Sequence, residues 1–172
     1  MPTRKPIPDY LLRYGPPHRA IERRVIPTGG PGLRLRFYPG VDDRLRDQLK
    51  EFAQWLRREL EFLHPVQVTV VAQATVMGLD GAPGWAVFLI PPPEYMVGDL
   101  VRIYMAGGKL AILEGEYGYS QEEALTLLCQ VLAHEIAHYE QWRDGHEISE
   151  DGVSERAELI VSTYQERARA VS

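Results

Sequence analysis

The stretch SQEEALTLLCQVLAHEIAHYEQW, Ser120–Trp142, decides how this chain is read. Ser120 followed three residues later by Glu123 has the spacing of a capping box, in which each residue satisfies a backbone N–H left open at a helix start. Leu125, Leu128, Leu132, Ile136 and Tyr139 then recur at three- and four-residue steps, the stripe of an amphipathic helix. Three polar residues, His134, Glu135 and His138, follow directly on the apolar Val131, Leu132 and Ala133. Two imidazoles on a helix meant for burial are costly unless something satisfies their nitrogens.

The spacing offers a reason for them. His134 and His138 are four residues apart, which on a helix sets their side chains one turn apart on nearly the same face. Two ring nitrogens so placed can reach one Zn²⁺ at about 2.0–2.1 Å. Glu135 lies about 100° around the helix from His134, too far to join them as a ligand. It can still hold a water at an open metal position and take its proton, the general base of metal-assisted hydrolysis.

A catalytic zinc needs a third protein ligand, and several residues compete for the place. Asp144 and His146 follow His138 by six and eight residues. Asp144 has the spacing of metzincins, but Gln141 stands where those enzymes turn on a glycine, and no methionine follows Met105 to form their methionine turn. His146 would require a tight return loop. Glu155 and Glu158 belong to a last helical segment, about Val153 to Ala170, whose apolar side is Val153, Ala157, Ile160, Val161 and Tyr164. Glu158 follows His138 by 20 residues (158 minus 138), room for one helix to end, a loop to turn and a second helix to pack beside it. Here the chain resembles the gluzincin family of zinc peptidases, whose pattern is His-Glu-x-x-His followed by a glutamate on a second helix. That resemblance covers about residues 120 to 165 and implies Zn²⁺ held by His134, His138 and Glu158, with Glu155 kept open. Many relatives carry Asp or Asn where this chain has Ser162, a departure that weakens support for a ligand histidine.

Upstream, Asp42 to Leu63 reads as a helix, with Leu45, Leu49, Phe52, Leu56, Leu60 and Leu63 as its apolar stripe, Asp42 as N-cap and His64-Pro65 as its stop. LRLRF (Leu33–Phe37), VQVTVVAQATV (Val66–Val76), WAVFLI (Trp85–Ile90) and LVRIYM (Leu100–Met105) read as strands, with Gly81–Gly84 turning between the second and third. Residues 1–32, rich in Pro, Arg and Gly, read as an N-terminal extension, with a possible short helix from Asp9 to Tyr14; residues 33–172 form the domain. The order of helix, short strands and metal helix resembles very small one-domain gluzincins, the minigluzincins.

Composition narrows the function. A chain of 172 residues, 45% hydrophobic and 25% charged, is that of an ordinary globular domain with a core of its own. A net charge of −5 argues against nucleic acid, whose phosphates require a clustered basic surface. Cys129 is the single cysteine, which excludes an intrachain disulfide and a Cys-rich zinc finger; among leucines it reads as a small buried hydrophobe. No run of about 18 apolar residues spans a membrane, and the first residues lack the apolar run of a signal peptide, so the expected location is cytoplasmic.

The expectation is therefore an α+β, zincin-like fold: a small, mostly antiparallel or mixed sheet on a long helix, the His-Glu-x-x-His helix, and a C-terminal glutamate helix. The expected activity is that of a zinc metalloendopeptidase acting on a peptide or protein substrate. A metal-activated water would attack the peptide carbonyl, with Glu135 as general base. The alternative keeps the zinc without turnover, in a latent or silent binding module whose cleft the N-terminal segment covers. Tyr139, Tyr164, His146 and Arg156 are within reach as transition-state donors, and the oligomeric state is left open.

Overall fold

The computed structural model describes residues 18–19, 30–78, 81–90 and 100–171. In chain order its elements are β1 (His18–Arg19), β2 (Gly32–Phe37), α1 (Asp43–Glu59), β3 (Pro65–Val71), β4 (Val76–Met77), β5 (Pro83–Gly84), β6 (Ala86–Ile90), β7 (Val101–Ala106), α2 (Lys109–Gly115), α3 (Gln121–Arg143) and α4 (Val153–Val171). Most of the extension, including Asp9 to Tyr14, lies outside the described residues.

Five strands form one sheet in the order β1-β6-β7-β3-β2. β2, β3 and β7 run parallel to one another, and β1 is parallel to β6; β6 against β7 is the antiparallel pair. The architecture is α+β with a small mixed sheet, but parallel pairs outnumber antiparallel ones, against expectation. The cause is α1, which carries the chain from β2 back over the sheet, so that β3 starts again at the same end. The Gly81–Gly84 turn does not join β3 to β6 as neighbours. Its Pro83–Gly84 half pairs with Val76–Met77, and β7 takes the place between β3 and β6.

Strand alternation decides which side chains face inward. Leu35, Val68, Ile103 and Phe88 form one row across the sheet from β2 to β6. Val68, Ile103 and Phe88 are fully buried in a core cluster that also takes in Leu45, Leu49, Phe52 and Leu56 of α1. α1 starts where Asp42 accepts a hydrogen bond from the Arg44 backbone N–H at 2.9 Å. It ends before the His64-Pro65 stop, because Leu60 is already extended. The bend at Gly107-Gly108 leads into α2, a helix the sequence reading did not contain. Gly108 is needed there: a Cβ would meet the Ala72 carbonyl oxygen and lie 2.7 Å from the Gln73 carbonyl carbon.

α3 is the spine. Both halves of the Ser120–Glu123 capping box are formed. From Val131 to Tyr139 every residue is buried, so this segment is enclosed on all sides rather than along one stripe. Cys129 lies in the same interior, where burial pushes its thiol up to about 12, and it packs as a hydrophobe. No helix among the described residues is long and apolar enough to cross a membrane.

Candidate metal centre

Enclosure of the middle of α3 makes its three polar residues conspicuous. His134 is 2% exposed, and Glu135 and His138 are 0% exposed. One helical turn separates the two imidazoles, whose ring centroids are 4.9 Å apart and nearly perpendicular. Phe88 of β6 lies beside His138, with centroids at 6.1 Å, so β6 borders the site through that ring.

The end of α3 determines what else arrives. Gly145 takes a positive φ of 72°, its N–H bonds to the Trp142 carbonyl, and the His146 N–H bonds to the Gln141 carbonyl at 2.9 Å. That pair of bonds is a Schellman stop, which needs a residue without a Cβ at the left-handed position. The chain therefore doubles back over the last turn of α3, and the return loop delivers Glu150. Its Oε2 lies 3.1 Å from His134 Nε2 and its Oε1 3.3 Å from His138 Nε2. Ligand atoms of His134, His138 and Glu150 all lie within 4.8 Å of one another, and no other such group of His, Cys, Asp or Glu occurs among the described residues. His138 Nε2, although 3.3 Å from the carboxylate, is off the line of a hydrogen bond, as expected for donors aimed at a common third point.

The carboxylate beside the histidine pair is thus that of Glu150, not Glu158. Glu155 and Glu158 are exposed on α4, because Val153, Ala157, Ile160 and Val161 form the face turned into the core. Asp144 is exposed and paired with Arg143 at 2.7 Å, and His146 is exposed. Glu150 lies on an irregular loop, where no helical or strand period marks it. The usable signal was Asp144-Gly145, since a helix stop there turns the following loop back towards α3. Three of the candidate transition-state donors have partners away from the histidine pair. The Tyr139 hydroxyl accepts the Leu63 N–H at 3.0 Å, Tyr164 accepts from Gln48 at 3.1 Å, and Arg156 makes a two-bond pair with Glu140 at 2.7 and 2.8 Å.

Charge is distributed unevenly. Both Glu135 oxygens are buried without a hydrogen-bond partner, and burial, reinforced by the Glu150 charge, raises its carboxyl well above the usual range. The His134 and His138 imidazoles hold the Glu150 carboxyl down to about 2. Burial lowers His134, favouring the neutral ring that ligates metals. Two imidazole nitrogens and one carboxylate oxygen suit a borderline divalent cation, and three protein donors leave a position open. The unsatisfied Glu135 carboxylate is the feature such an occupant would relieve.

No protein-family model, curated protein or solved structure matches the chain. The likeness to gluzincins accordingly rests on the motif alone.

Proposed function

We propose that this protein is a zinc-dependent hydrolase acting on peptide bonds, with zinc held by His134, His138 and Glu150. The observation that carries this reading is the convergence of those three groups beside a wholly buried carboxylate that has no hydrogen-bond partner of its own. Zinc bound there would polarise a carbonyl and make a water acidic enough to attack it near neutral pH. Glu135 would take the proton from the attacking water and return it to the leaving nitrogen, a task suited to a carboxyl raised by burial. α3 holds Glu135 and both histidines in one rigid, core-packed segment, so their mutual placement does not depend on substrate.

A second reading is favoured by β1. Those two residues pair with Leu89 and Ile90 of β6, the strand whose Phe88 lines the metal site. Part of the N-terminal extension thus lies along the strand beside the site, as a latent or silent zinc module would require. Metal analysis and hydrolysis assays test both readings. The chain purified without chelator should carry close to one zinc, and less than about a tenth of an equivalent sinks the metal reading. Unfolded protein should be cleaved, and Glu135→Gln should keep zinc and lose cleavage. Zinc binding with cleavage only after removal of residues 1–29 identifies the latent form.

A further inference from the structure

Gln141 is a residue to which hydrolysis gives no task, yet it touches two parts of the site. Its side-chain Oε1 lies 3.2 Å from His138 Nδ1 and 3.2 Å from the Ser149 backbone nitrogen. The second contact fixes the first. A backbone N–H only donates, so the carboxamide atom facing Ser149 is the oxygen and not the NH₂ group. That oxygen can only accept, so His138 Nδ1 must carry a proton and donate it. In a neutral ring Nε2 then keeps its lone pair, directed to the point shared with His134 and Glu150. The same oxygen anchors the backbone at Ser149, the residue before Glu150.

From this geometry we infer that Gln141 is a positioning residue for the metal centre, a role that rests on the metal reading proposed above. One acceptor fixes the tautomer of His138 and pins the loop that brings in Glu150, so two of the three ligands are presented together. The backbone of Gln141 separately accepts the His146 N–H at 2.9 Å, and that bond survives a change of side chain. Side-chain variants therefore keep the helix stop and lose only the coupling.

The experiment compares the full chain with Gln141→Leu, which removes the acceptor, and Gln141→Glu, which restores one. In the metal-free proteins at about pH 8, above the ordinary imidazole range, NMR reads the His138 ring nitrogens and the exchange protection of the Ser149 amide. Chelator competition then reads zinc affinity. Parent and Gln141→Glu should show the proton on Nδ1 and a protected Ser149 amide, and Gln141→Glu should bind zinc no more weakly than the parent. Gln141→Leu should lose both signatures and bind zinc about 10- to 100-fold more weakly, the span seen when a ligand's orienting group is removed. A Gln141→Leu chain that keeps both signatures, or loses them and binds zinc as tightly as the parent, overturns the assignment. A parent that binds no zinc overturns the metal reading and this role with it, and is recognised because parent and variants then fail alike.

Discussion

Glu135→Gln should make the metal-free protein more stable even as it removes the group assigned to move the proton. Glu135 is 0% exposed and neither of its oxygens has a hydrogen-bond partner. A carboxylate so placed either remains charged without solvation or takes up a proton, and protonation caps the cost. Because burial raises the carboxyl well above its ordinary value of 4.5, the folded chain bears at pH 7 a cost that the unfolded chain escapes. Glutamine has the shape of the neutral acid and escapes that cost while keeping the burden of a buried polar group. Local relaxation recovers some of the difference, which leaves a gain of about 1–3 kcal/mol. For a chain of 172 residues that raises Tm by about 2–12 °C, at about 2–4 °C per kcal/mol. The sign has a pH signature. Because the folded-state pKa is raised, the folded chain binds the extra proton, and the parent loses stability as pH climbs above 4.5. Parent and variant should therefore agree in acid and diverge towards neutrality. Thermal and urea unfolding in chelator, from about pH 4 to about pH 8, measures this directly. Equal stability at pH 7, or a parent–variant difference that stays constant above pH 4.5, refutes the reasoning.

Two further substitutions probe the site and its frame. Glu150→Ala should weaken zinc binding at least about tenfold, or about 1.4 kcal/mol, while Glu158→Ala leaves it unchanged; chelator competition showing the reverse order would transfer the ligand to α4. The carboxyl of Glu150 is held down to about 2, so its contribution is present above 4.5 and is lost as pH falls between those values. With the side chain 57% exposed, solvent screening keeps that contribution below about 1 kcal/mol, and the difference in unfolding free energy between parent and Glu150→Gln should close across this acid window. Gly108→Ala forces a methyl group against the backbone of Ala72 and Gln73 and should cost about 1–3 kcal/mol. An unchanged Tm would mean that the turn into α2 relaxes freely.

How much of this could be read from the sequence depended on how local the cause was. The start of α3 was legible because Ser120 and Glu123 satisfy each other's backbone within one turn. α1 was legible because Leu45, Leu49, Phe52 and Leu56 mark one face, and all four are buried. The runs VQVTV, WAVFLI and LVRIYM were legible as strands and became β3, β6 and β7. Strand order was not legible, since alternation sorts residues between faces but carries no information on which strand lies next to which. For the same reason nothing in WAVFLI announced that its partner would be β7 rather than β3. At the candidate site, the pairing of His134 and His138 on one helix face was legible from helical spacing alone. Glu150 was not, because its position depends on the backbone turn at Gly145 and the path of an irregular loop rather than on a period. α2 was hidden by the two glycines before it, which suggest a break and conceal the short helix beyond.

The three prospective ligands differ in mechanical support. His134 and His138 sit within the buried run of α3, whereas Glu150 is carried by the loop between Gly145 and Gly152, its side chain 57% exposed. Excursions of such a segment take far less free energy than global unfolding. Ion capture and escape would then follow the swinging of one acidic arm, on a clock separate from that of denaturation. Stiffening the segment, for instance by replacing an exposed residue such as Glu147 with proline where the backbone permits, would slow ion exchange at the site without altering the pair of imidazoles that define it.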